Sequence, residues 1–164
     1  IKGIGEIKSD LTQTELLRAL LKLSETKRVA HAIGLGTVDS DRNEYTRLHF
    51  TDYAYSFLIC NKISGDISKL GDKIEDFYQR EGVENQYRHN FILALDGNAL
   101  CYISKNCGVC AYPYTSGNDD YLTGNPTYHI NNFDEAIAAF AQFTYVNLTS
   151  QKRVFINLIE YIKS

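Results

Sequence analysis

The sequence predicts an α/β domain, a mixed central sheet flanked by helices. Three observations carry that expectation. Apolar, strand-like runs at 1–8, 53–60 and 91–95 are separated by helical patterns. Asp96-Gly97 joins the third run to a partner at 99–104, a hairpin signature. The resulting order, β-α-β-α-β-β-α, is that of helices covering a mixed sheet.

Each element has its own warrant. Residues 1–8 read as a strand and 9–11 as a short turn. Thr12-Gln13-Thr14-Glu15 forms a capping box. The Thr12 hydroxyl can accept the Glu15 N–H while the Glu15 carboxylate returns to the Thr12 N–H. The helix so started is expected to reach about Ala30. Leu16, Leu17, Leu20, Leu21 and Leu23 form its apolar face, and Arg18, Lys22, Lys27 and Arg28 its basic remainder. Residues 31–51, with Gly34, Gly36 and a polar cluster at 39–43, read as a loop.

The aromatic and apolar run at 53–60 reads as the second strand. Asp66 or Ser68 is expected to cap a helix running to about Glu81, with Leu70, Ile74 and Phe77 inward and Gly82 as its stop. Residues 105–128, rich in Tyr, Gly and Asn, read as a loop or irregular hairpin. Asn132 or Asp134 opens a helix carrying Ile137, Phe140, Ala141 and Thr144. A further helix is expected from Thr149 or Ser150, with Phe155, Leu158, Ile159 and Ile162 on one face.

Composition bounds the function. A length of 164 residues fits a single domain, 1–164, and 44% apolar residues supply an ordinary core. The net charge of -3 leaves no global basic field, so any nucleic-acid contact needs a local patch. No apolar run approaches the ~20 residues of a membrane span, so no membrane partner is expected. Four cysteines are too few for a disulfide scaffold, which points to a reducing, cytoplasmic setting. The chain contains no Met and opens on Ile1 inside an apolar run. That start leads us to expect a preceding segment, with 1–164 as the C-terminal bulk of a larger domain.

The chemistry-bearing feature is Ile4-Gly5-Glu6-Ile7-Lys8-Ser9. Residues two apart on a strand share a face, so Glu6 and Lys8 project together and Ile7 points into the opposite layer. A carboxylate is a hard oxygen ligand for Mg²⁺, whose bound water becomes a nucleophile and whose charge stabilises a phosphate. A neighbouring ammonium can orient that water or the developing charge. Glu-x-Lys is short enough to recur by chance, and Glu25-Thr26-Lys27 repeats it within the helix. Context singles out Glu6 and Lys8: apolar residues before, a capped amphipathic helix directly after.

That run, with the Leu-rich basic helix behind it, resembles the second half of the PD-(D/E)xK nuclease motif. More closely, it resembles an uncharacterised bacterial family with a restriction-endonuclease-like core and a Glu-Val-Lys strand. The aromatic strand, the hairpin and the later helices follow that family's order. Only residues 4–9 are motif-specific. The resemblance implies Glu6 as metal-binding acid, Lys8 as catalytic lysine, and Mg²⁺ or Mn²⁺ as cofactor. It also implies a DNA nuclease, by analogy one serving bacterial defence. Lys22, Lys27 and Arg28 would meet the phosphate backbone. The motif's partner Asp has no position upstream of Glu6 here, so the core lacks its N-terminal elements and is expected to be inactive as it stands. The alternative is a non-catalytic module on the same fold, binding nucleic acid, a protein or a second copy.

Other motifs weigh less. Cys107-Gly108-Val109-Cys110 has half of a zinc-knuckle spacing, with Cys60 and Cys101 as conceivable further ligands; no second pair follows, so zinc is not expected. Residues 86–89 read as a solvated approach to the strand at 91. Tyr112, Tyr114, Tyr121 and Tyr128 read as loop anchors before they read as a base-stacking surface. His31 reads as a helix-terminal dipole partner. Gly34-Leu35-Gly36 lacks the third glycine of a dinucleotide fingerprint.

Overall fold

The computed structural model describes residues 3–33, 37–38, 53–105, 108–116, 122–150 and 155–156. In chain order it contains β1 (Gly3–Leu11), α1 (Gln13–Ile33), β2 (Thr37–Val38), β3 (Tyr55–Ile63), α2 (Leu70–Arg80), β4 (Phe91–Ala94), β5 (Asn98–Ser104), β6 (Gly108–Cys110), β7 (Tyr114–Ser116), β8 (Leu122–Gly124), β9 (Thr127–Ile130), α3 (Phe133–Ser150) and β10 (Phe155–Ile156). The protein is α/β, as the sequence predicts. The central sheet is mixed: β1, β3 and β4 are parallel, and β5 turns back antiparallel to β4. β6 and β9 then both pair with β5. Two small antiparallel pairs, β7 with β8 and β2 with β10, lie outside this sheet.

Period-two alternation divides the core into two layers. Leu58, Cys60, Ile92, Ala94 and Leu100 face α1 and α2. Tyr55, Phe91, Leu93, Ala99 and Cys101 face the side covered by Ala136, Phe140 and Phe143 of α3. Strands buried on both faces read as unbroken apolar runs, which is why 91–94 shows no alternation.

The local signals hold where the chemistry is local. The capping box forms, with the Thr12 N–H donating to Glu15 Oε2 (2.8 Å) and the Glu15 N–H to Thr12 Oγ1 (3.3 Å). Gly97 turns the β4–β5 hairpin at φ +103°, and Gly82 follows α2 at φ +64°.

Several expectations are corrected. β1 continues through 9–11, where a turn was expected. Asp66 does not cap α2; its Oδ1 accepts the Ser68 N–H (3.0 Å) in a local turn, and the helix starts after Lys69 with no side-chain cap. The 105–128 stretch contains three short strands and the start of β9. On α3, Phe140 packs on the sheet as expected, with Ala136 and Phe143 beside it, while Ile137 is exposed. No helix starts at Thr149 or Ser150, because α3 runs through both. The Thr149 hydroxyl donates back to Tyr145 O (2.7 Å), which continues a helix rather than capping one. Phe155 lies in a strand, and Leu158, Ile159 and Ile162 lie outside the described residues.

Candidate functional site

β1 is an edge of the sheet: among the described residues only β3 pairs with it, leaving its other backbone edge open. Gly5 lies in register with Phe57, and a Cβ on Gly5 would come within 2.5 Å of the Phe57 ring. The close approach that Gly5 permits is therefore to its neighbouring strand. Ile7 points away from the face that Glu6 uses, but no layer of the described residues covers it there, and it is 77% exposed.

Glu6 and Lys8 do stand together. Lys8 Nζ lies 2.9 Å from Glu6 Oε1, and Lys22 Nζ of α1 reaches the same oxygen at 3.7 Å. The Glu6 side chain is only 13% exposed, against 42% for Lys8 and 71% for Lys22. These groups line a cleft of about 370 Å³ between β1 and the first turns of α1. Asp10, Glu15 and Arg18 line it as well. Asp10 Oδ1 accepts from Asn61 Nδ2 (3.0 Å). Glu15 is committed to the helix cap; the backbone and hydroxyl bonds from Thr12, with Arg18 nearby, hold its carboxyl below the usual range.

Lys27 belongs elsewhere, which corrects the expectation of a phosphate contact. It is 3% exposed, with Nζ donating to Arg88 O (2.7 Å) and Asn90 Oδ1 (2.9 Å). Burial lowers its pKa to about 7, and among the described residues no carboxylate pairs with it. A neutral amine has two N–H groups, and two acceptors are present. Arg28 stays on the surface, its guanidinium 5.4 Å from the Tyr87 ring centre.

Residues 87–90 are buried, not a solvated approach. Arg88 Nη1 pairs with Glu75 Oε1 (2.5 Å), and its guanidinium lies over Tyr78. His89 Nδ1 faces both Tyr78 OH (2.9 Å) and Tyr102 OH (3.1 Å). Burial, together with the Lys27 and Arg88 charges, lowers the His89 pKa to about 3, so the ring is neutral. Asn90 Oδ1 also accepts the Ser56 N–H (2.8 Å), and Asn90 Nδ2 donates to Ala111 O (2.8 Å). This segment bolts α1, α2 and the starts of β3 and β4 together.

Among the described residues, no group of three or more His, Cys, Asp or Glu side chains is placed to hold a metal. Cys60 and Cys101 are buried free thiols, Cys110 is buried, and Cys107 lies outside the described residues. His31 stacks on Tyr53 at 5.2 Å, and His129 bonds Asn98. Tyr114 is buried and Tyr128 exposed, while Tyr121 is outside the described residues. No described helix is long and apolar enough to cross a membrane.

The sequence pairs Glu6 with Lys8 and sets Lys22 apart as a phosphate contact; the structure brings Lys22 to Glu6 and adds Arg18 and Asp10 to the same cleft. A signal for Arg18 was present: Glu15, Arg18 and Lys22 recur at helical spacing, one face of α1. Compared with protein-family models, curated proteins and solved structures, the chain has no significant match.

Proposed function

We propose that this chain is part of a Mg²⁺-dependent phosphodiester hydrolase, a DNA nuclease with a restriction-endonuclease-like core. Glu6 would be its metal-binding acid and Lys8 its catalytic lysine. One observation carries the reading: a carboxylate and an ammonium stand side by side on one face of an open-edged strand, over a cleft that further acids and cations line. A metal bound through Glu6 would supply Lewis-acid stabilisation of the phosphate. Lys8 would hold the attacking water or the developing negative charge. The second metal-binding carboxylate would come from a strand laid along the open edge of β1, since the other acids of the cleft are engaged elsewhere, Asp10 with Asn61 and Glu15 with Thr12.

A second reading, a non-catalytic binding module, is favoured by the two lysines that already occupy Glu6 Oε1. Plasmid cleavage with Mg²⁺ or Mn²⁺ by the longest natural reading frame containing this chain separates the two. The nuclease reading expects cleavage, lost on Glu6→Ala and on Lys8→Ala. Cleavage that survives both substitutions, or none from the parent, rejects it.

A further inference from the structure

We propose that β1 pairs with β1 of a second copy of this chain, antiparallel and about a two-fold axis through Ile7. The proposal goes beyond the nuclease reading and does not rest on it. A second copy and the acid-bearing strand of that reading are alternative occupants of one edge. β1 is nine residues long, where a strand usually has about five or six. Among the described residues only β3 pairs with it, so the backbone groups of its other edge are open to a further strand. Edge strands are ordinarily blunted by shortness, by Pro or by a bulge. Gly3–Leu11 contains no Pro, and its register with β3 is constant from Gly3 opposite Tyr55 to Leu11 opposite Ile63. Ile7, at the centre of the strand, is 77% exposed.

The charges of the strand select its own copy as the occupant. A two-fold axis perpendicular to the sheet keeps each face of β1 on the same face of the joined sheet, and the contact is self-complementary. With Ile7 opposite Ile7 of the second copy, Glu6 stands opposite Lys8 and Lys8 opposite Glu6, so opposite charges meet on both sides of the axis. Within one copy Lys8 Nζ already lies 2.9 Å from Glu6 Oε1. The four groups therefore alternate in sign around the axis. On the other face Gly5 stands opposite Ser9, small against small, and the two isoleucines cover each other. Neighbouring registers lack this match. Sliding one strand by two residues sets Glu6 opposite Glu6 in one direction and Lys8 opposite Lys8 in the other. Parallel pairing in register opposes like charges at both positions. Directly opposed like charges destabilise a sheet, so the antiparallel register centred on Ile7 is the one the sequence favours.

The test is sedimentation velocity of the 1–164 chain across a concentration series, where a monomer–dimer equilibrium is expected. Lys8→Glu sets acid opposite acid on both sides of the axis and should weaken association about tenfold. Adding Glu6→Lys to that variant restores opposite charges across the axis and should restore the dimer. Ile7→Lys, at an exposed position, brings two ammonium groups together at the axis and should also weaken association about tenfold. A cross-link keeps the test decisive if a charge variant fails to fold. Directly opposed residues have Cα atoms about 4.5–5.5 Å apart, within disulfide reach, so mild oxidation should link Ile7→Cys to its own copy. Ser9→Cys would lie about 14 Å from its counterpart and should stay unlinked. The parent, oxidised alongside, controls for the native thiols. A parent that stays monomeric throughout the series overturns the proposal, and leaves the edge to another strand. A dimer untouched by Lys8→Glu and Ile7→Lys, or one that links through Ser9→Cys and not through Ile7→Cys, overturns it as well. Cleavage by the longer reading frame is a separate measurement, so the two readings fail separately.

Discussion

Replacing Lys27 with Met should change how stability depends on pH. Lys27 has a folded-state pKa near 7, against an ordinary value of 10.5, because burial disfavours its charge. Between those values the unfolded chain carries a proton that the folded chain has released. Stability therefore rises with pH across that window. Integrating over pH 7 to 9 gives a gain of about 2 kcal/mol from this group alone. The buried thiols oppose it: desolvation raises Cys60 to about 11 and Cys101 to about 12, from an ordinary 9. Their protonated forms are favoured by the fold, and that stability is lost as pH rises past the unfolded thiol value. The difference between parent and Lys27→Met cancels the thiols. Urea unfolding followed by circular dichroism at pH 7, 8 and 9 should show the parent gaining about 2 kcal/mol on the variant. Identical pH dependence in both proteins would refute the argument. It would mean that the Arg88 and Asn90 oxygens keep the ammonium charged inside the fold.

Two further outcomes follow from local geometry. Gly5→Val places a side chain against the Phe57 ring, where even a Cβ would sit at 2.5 Å, so urea unfolding should show a loss of about 1–3 kcal/mol from overpacking. Thr12→Ala removes one half of the capping box and should cost about 1 kcal/mol in the same measurement, with no local loss of cleft residues.

Features set by short stretches of chain were legible, and those set by tertiary partners were not. The Thr12–Glu15 box and the Asp96-Gly97 turn need only neighbours in sequence, and both form. The fate of Lys27 was half-written: Leu16, Leu20, Leu23 and Lys27 follow one helical stripe, and the stripe is buried. Reading charge before position placed Lys27 on the surface. Residues 88–90 gave no such sign, because three successive polar side chains are buried only by partners 13, 11 and 63 positions away, Glu75, Tyr78 and Lys27. The Glu6–Lys8 face was legible from the strand period alone. The cleft opposite it required the angle at which α1 packs, which no spacing rule supplies.

The same geometry bears on why an acid from outside these residues matters to the nuclease reading. Glu6 contributes one negative charge, and Lys8 and Lys22 contribute two positive charges around the same oxygen. A divalent cation approaching this oxygen meets both ammonium groups, while the Asp10 and Glu15 carboxylates of the same cleft are engaged by Asn61 and Thr12. At about 4 Å and an effective dielectric near 20, each unit positive charge opposes a divalent cation by roughly 8 kcal/mol. Lys22 is largely exposed and can swing clear, but Lys8 is held two residues from Glu6 on the same strand face. One carboxylate facing one fixed ammonium is neutral, not metal-attracting. A second carboxylate delivered along the open edge of β1 would turn the site negative while leaving Lys8 in place beside the bound water. The open edge and the charge balance at Glu6 therefore make the same demand, and a strand carrying an acid to that edge would satisfy both.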